Sequence, residues 1–199
     1  MYHMVFGLLV IHFTLVYLMP WFFSDPAGDF KGLTRSISEQ QFHSELKVFE
    51  QDGRTMLYGG QKDHEHFDIT TTHLKTENLH YGLGREAFPA LIEPEFDTVK
   101  LANNWLKPQS RVLTVKVAEE VKVYPVDLLV EHEVVNDVVV GKPIFAAYCI
   151  LADLGAVYDR RLGDKTLTFG VSGYTYADVN VWDGMDAFVL WDRDTESLW

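Results

Sequence analysis

The chain has 199 residues, 47% of them apolar, enough for one core of ordinary size plus a short accessory element rather than two large domains. Its formal net charge of -12, with no basic run interleaved with aromatics, repels nucleic-acid phosphates and argues against a nucleic-acid partner. The single cysteine cannot form an internal disulfide, so cysteine usage does not mark the compartment.

In chain order, the first predicted element is a membrane helix. Met4 to Phe23 is a stretch of 20 residues with no formal charge. At a helical rise of about 1.5 Å per residue it spans about 30 Å, the thickness of a bilayer hydrocarbon core, so residues 1–23 are expected to form one transmembrane α-helix. Tyr17 and Trp21 suit the aromatic belt at an interface, and Pro20, Asp25 and Pro26 mark the end of the helix. A cleaved signal peptide is the competing reading. The stretch lacks a basic leader, and no small-x-small cleavage site follows Pro20-Trp21-Phe22-Phe23, so an uncleaved anchor is expected. His12 lies near the midpoint of the span, where a polar side chain is costly and normally faces a partner helix, a cavity or a cofactor. Two readings of His12 stand: a neutral imidazole hydrogen-bonded to a neighbouring helix, or an axial ligand to a nearby haem or chlorophyll-type pigment. Trp21 and Phe22 are the expected contacts of the anchor with integral-membrane partner subunits and the bilayer.

Residues 24–40 mix Pro, Gly, Ser and charges and read as a tether over the membrane surface. Residues 41–199 are expected to form a mostly β (α+β) globular domain with short helices. Its first hairpin turns at Gln51-Asp52-Gly53-Arg54. Asp63, His64, Glu65, His66, Asp68 and His73 follow, and on a strand His64 and His66 would point to one side as metal ligands do. The surrounding polarity reads instead as a solvated loop. Phe96, Val99, Leu101 and Trp105 share a face over Glu95 to Trp105, predicting the best helix of the domain, and Val126 to Glu131 a further turn. Three hairpins are expected: Arg111–Ala118 with Val121–Tyr124 around Glu119-Glu120, Val134–Val140 with Ile144–Leu151 around Gly141-Lys142-Pro143, and Val157–Asp159 with Thr166–Val171 around Leu162-Gly163-Asp164. Ser172 lacks the Gly-x-Ser-x-Gly spacing of a nucleophile elbow and reads as a turn residue. Of the aromatics crowding the last quarter, most are expected in the core, but Trp182 with Asp183 in an acidic setting suits a protein interface.

Four phrases of the carboxyl-terminal half belong together: Tyr124-Pro125-Val126, Glu131-His132-Glu133-Val134-Val135-Asn136-Asp137, Leu167-Thr168-Phe169-Gly170-Val171-Ser172-Gly173, and the closing Trp191-Asp192-Arg193-Asp194-Thr195-Glu196-Ser197-Leu198-Trp199. The series resembles the bacterial and archaeal domain of unknown function family 3179, over about residues 80 to 199. Members typically show Tyr-Cys-Pro-Leu-Cys-Gly, which here reads Tyr148-Cys149-Ile150-Leu151-Ala152-Asp153, so the second cysteine is missing. Val179 to Phe188 resembles an insertion, and members usually continue past the Glu-Ser-Leu-Trp phrase.

The resemblance implies a fold but carries no agreed activity. In relatives, a histidine with two close cysteines suits copper, zinc or thiol exchange. Here His132 and Cys149 offer two ligands, and a metal site would need an acid such as Glu133, Glu131 or Asp153 to complete it. Lys31 and Arg35 after the span point to a cytoplasmic domain, whereas the secretory and lipoprotein leaders common among relatives point to the periplasmic face, which is the expected one. The function expected is that of a non-catalytic accessory subunit anchored in a larger integral-membrane complex, respiratory or photosynthetic, with no cofactor in its soluble domain. The alternative is a membrane-tethered metal or thiol redox protein using His132 and Cys149.

Overall fold

The computed structural model describes residues 47–178, 180 and 186–199, with the backbone of Met4–Phe6. His12, Trp21 and Phe22 of the expected anchor, the tether, and Trp182 and Asp183 lie outside the described residues. The three positions of the expected span that fall within them, Met4–Phe6 (β1), are extended. Among the described residues no helix is long and apolar enough to cross a membrane.

The domain is mostly β, as its alternating apolar runs predict. Val48–Gln51 (β2) and Arg54–Leu57 (β3) form the first hairpin, and Phe67–Asp68 (β4) adds a third strand. Asp52 and Gly53, at φ 51° and 73°, give the turn the twist that a two-residue hairpin needs. Leu79–Tyr81 (β5), Leu91–Ile92 (β6) and Phe96–Thr98 (β7) follow as short strands that join sheets formed later in the chain. Where an eleven-residue helix was expected, only Val99–Ala102 (α1) is helical, with the Thr98 hydroxyl accepting from the Leu101 N–H. Phe96 lies in β7, its ring edge-on to Tyr124 at 5.7 Å, so tertiary packing takes the start of the predicted helix.

Val112–Val117 (β8) and Glu120–Pro125 (β9) form the next hairpin, and β7 and β1 complete a sheet in the order β7-β1-β9-β8. Val126–His132 (α2) supplies the one further turn expected. Val134–Val139 (β10), Lys142–Cys149 (β11) and Leu154–Asp159 (β12) build the central sheet, ordered β12-β11-β10-β6. The turn falls at Val140-Gly141, both at positive φ, and Pro143 lies within β11 opposite Val138 rather than in the turn. Both faces of this sheet are covered, which explains why β10 and β11 are buried along nearly their whole length. One face, with Val135, Val139, Ile144, Ala146 and Tyr148, packs on Val115, Tyr124 and Leu129. The other, with Val134, Phe145 and Ala147, packs on Phe169, Val171 and Leu190.

That second layer is the sheet of Phe169–Tyr176 (β15), Ala187–Asp192 (β16) and β5, entered through a small hairpin of Arg161–Leu162 (β13) and Lys165–Thr166 (β14). Its far side holds a further core of Leu57, Phe67, Ile69, Leu79, Tyr174 and Trp191. Ser172, expected in a turn, is instead wholly buried within β15, at a register shift between Val171 and Tyr174. Its hydroxyl donates to Val189 O at 2.6 Å and accepts from Tyr174 N–H at 3.1 Å, so the bulged backbone is satisfied internally. Gly173 closes the bulge at φ 83°, where a Cβ would stand 2.0 Å from the Leu83 carbonyl oxygen.

Candidate functional site

The phrases that drew attention in the sequence become joints between layers. Asp137 accepts from Lys122 Nζ through both carboxylate oxygens at 2.9 Å and from the Tyr124 hydroxyl at 2.8 Å, tying β10 to β9. On the opposite face of β10, Asn136 exchanges two 2.8 Å hydrogen bonds with the backbone of Phe169. Asp192, with no solvent exposure, organises the closing phrase: it accepts from Asp194 N–H, Thr195 N–H, the Thr195 hydroxyl and Trp199 Nε1. Burial raises the pKa of this carboxyl, but the bonds from Thr195, Trp199 and Asp194 outweigh it and hold the group below its ordinary value.

His132, Glu133 and Cys149 meet the ends of α2 and β11. His132 is 4% exposed, and its Nδ1 donates to the Pro89 carbonyl at 2.7 Å. Glu133 terminates α2 at φ 57°, a left-handed conformation uncommon for a side-chain-bearing residue, and its carbonyl accepts from Tyr148 N–H at 2.9 Å. Cys149 is buried. Burial pushes its thiol up, against the pull of the Ala152, Phe188 and Leu151 backbone N–H groups, and the nearby Glu133 charge adds to the rise. Glu133 and Cys149 thus sense one another. Among the described residues, however, no three His, Cys, Asp or Glu side chains are gathered as a metal centre requires.

The other sequence candidates separate. His64 stands on a 3-10 turn, Asp63–Glu65, instead of a strand. His66, at the end of that turn, packs edge-on against Phe49 at 5.1 Å and accepts from Gly59 N–H. Asp153, the other acid weighed as a ligand, accepts from Arg111 Nη2 and from the Tyr148 hydroxyl, both at 2.5 Å.

Burial lifts the Glu133 carboxyl to about 7. Because the folded state then binds the proton more tightly than the unfolded one, this group adds stability below about pH 4.5 that is lost as pH rises through about 7. Glu133→Gln is expected to stabilise the domain at pH 8 by about 2 kcal/mol. It should also flatten the stability profile between pH 5 and 8, as read by chemical denaturation across that range. A slope equal to that of the wild type would place the charge in water.

Among the described residues a cleft of about 420 Å³ lies open between the β11–β12 ribbon and β15–β16. Cross-strand register lays out its floor as Phe145 opposite Tyr158, Ala147 opposite Ala156, and Cys149 opposite Leu154. The alanine pair, with Ala187 on β16, leaves the space that larger side chains would fill. Arg160 and Trp199 also line it. Leu154, Tyr158, Leu162 and Trp199 around it are each about half exposed, so the rim presents apolar side chains to solvent beside the exposed Arg161–Asp159 pair. Neither the cleft nor the role of Arg160 was legible beforehand, because a cation beside Arg161 and Asp159 reads as surface charge.

A family model described as a protein of unknown function (DUF3179) matches residues 85–199, more than half of the chain. No curated protein and no solved structure matches it. The matched range takes in the layer joints, the Glu133 and Cys149 corner and the whole cleft, and the chain belongs to this family.

Proposed function

We propose that this chain is a non-catalytic accessory subunit, held by its amino-terminal segment in a larger integral-membrane complex, whose β domain stabilises the assembly. The observation that carries this reading is how the polar side chains of the family phrases are used. Asn136, Asp137, Ser172 and Asp192 direct their hydrogen bonds inward to the scaffold, and the Cys149 thiol is buried, which raises its pKa. What the domain offers to solvent beside them is a mostly apolar cleft, a surface suited to binding. Of the uncharged stretch from Met4 to Phe23, Met4–Phe6 pair with β7 and β9 in the domain, and the uncharged residues 7–23 that follow support attachment to a bilayer, with the domain on the periplasmic face and His12 facing a neighbouring helix, haem or pigment. A respiratory or photosynthetic complex would supply such neighbours.

Gentle detergent extraction and pull-down of the full chain should recover integral-membrane subunits in stoichiometric amount. Trp182→Ala should lower that recovery about tenfold, the effect of removing an aromatic anchor from an interface, with the domain still folded. Recovery of the wild-type chain alone would overturn the subunit reading. A second reading, a metal or thiol protein built on His132, Glu133 and Cys149, draws support from the bond of Tyr148 N–H to the Glu133 carbonyl, which sets the Glu133 backbone beside the residue preceding Cys149, and from the strained φ at Glu133. The resemblance places the second cysteine of relatives at 152, three residues after Cys149. Stoichiometric copper or zinc in the purified chain would favour this second reading.

A further inference from the structure

Arg160 is the unusual member of the cleft. It is 6% exposed, donates to the carbonyl oxygens of Leu167 and Asp137 at 3.0 and 3.2 Å, and its Nε has no hydrogen-bond partner. The carboxylates of Glu93, Asp137 and Asp194 act on it only through space, while burial works against its charge. Apart from the Arg161–Asp159 pair the side chains lining the recess are apolar, and a buried guanidinium in such surroundings favours a bound anion, since the local dielectric is low and the group is held in place. Neighbouring Arg161 does not compete for such an anion, because its guanidinium is held by Asp159 through Nε at 2.9 and 3.1 Å and through Nη2.

The walls specify the remainder of the ligand. Tyr158 stacks on Phe145 at 5.1 Å, Phe145 lies against Phe169 at 4.2 Å, and Phe169 meets Trp199 edge-on at 5.7 Å. These four rings form a continuous row, and all of them line the cleft. A flat ring entering beside them extends the row through the offset and edge-on contacts that aromatic groups favour. The volume of about 420 Å³ lies in the range of small-molecule sites and leaves room for one or two fused rings. We propose that this cleft binds a flat aromatic organic monoanion, its rings against the Tyr158, Phe145, Phe169 and Trp199 row and its carboxylate or equivalent group directed to Arg160.

The test is calorimetric titration of the full chain in neutral-lipid nanodiscs with 2-naphthoate and with its uncharged isostere 2-naphthamide, against empty nanodiscs. One-to-one binding is expected, with the acid at least about tenfold tighter than the amide, a preference of the size a charge-assisted hydrogen bond gives. Arg160→Met should erase that preference and leave the amide bound. Ala156→Trp, at a partly exposed position on the cleft floor, should abolish binding of both and gives a test that does not depend on the buried arginine being replaceable. Equal affinity for acid and amide, no binding of either, or unchanged binding by Ala156→Trp would overturn the proposal. These outcomes are independent of the subunit reading, which rests on co-purification.

Discussion

Lys122→Met is expected to destabilise the domain by about 3–5 kcal/mol, the largest single-substitution effect among these expectations. The ammonium group of Lys122 is enclosed: it donates to both oxygens of Asp137 and to Val138 O at 2.8 Å, and it sits 4.4 Å from the centre of the Phe96 ring. Its side chain is 11% exposed and that of Asp137 4%. Methionine reproduces most of the stem but leaves a carboxylate between two packed sheets, hydrogen-bonded to the Tyr124 hydroxyl and the Val138 N–H and without a cation in contact. An unpaired charge in such a place costs several kcal/mol, whereas removing both charges does not. The double variant Lys122→Met with Asp137→Leu should therefore recover more than half of the loss. Chemical denaturation of the three proteins measures it, and a single-variant loss below about 1 kcal/mol would mean that the pair behaves as a surface ion pair does.

Elements fixed by local residues were legible in the sequence, and those fixed by distant partners were not. Asp52-Gly53 announced its hairpin because the residues that permit positive φ stand at the turn itself. The turns at Ala118-Glu119 and Val140-Gly141 came one to two residues early, because Ala118 and Val140 take φ near 50° although neither favours it. There the strands set the register: pairing Val134 with Ala147 keeps Asp137 on the Lys122 side and Asn136 on the Phe169 side, and the turn adapts. The helix over Glu95 to Trp105 failed for a related reason. Its apolar spacing was real, but Leu101 and Trp105 remain 51% and 41% exposed and Phe96 was taken by the sheet. Of the candidate site, the closeness of Glu133 and Cys149 could be guessed from their phrases. The cleft could not, since it arises from two alanines meeting across strands and from Trp199 being returned to Phe169 by the bonds of Asp192.

Asn136→Ala is expected to cost about 3–4 kcal/mol, because it strands two backbone groups, each worth about 1–3 kcal/mol when buried and unpaired. β15 is paired with β16 along one edge, but on its other edge β5 covers only Tyr174 to Tyr176. At Phe169 that edge would be open, and the Asn136 side chain closes it by offering an N–H to the Phe169 carbonyl and an oxygen to its N–H, as a neighbouring strand would. Asn136→Asp separates geometry from chemistry. A carboxylate at 136 keeps the bond from Phe169 N–H but faces the Phe169 carbonyl with a second acceptor, so at pH 8 it should be at least as damaging as alanine. A protonated carboxyl can donate to that carbonyl, so the variant should regain stability between pH 8 and 5 where Asn136→Ala gains no such increment. Denaturation of both variants at the two pH values reads the difference, and equal pH responses would show that Asn136 acts through its volume rather than as a surrogate strand. Phe169 also stands in the ring row of the cleft, so the same substitution should weaken 2-naphthoate binding from a distance, through the backbone that holds the ring rather than through any contact with the ligand.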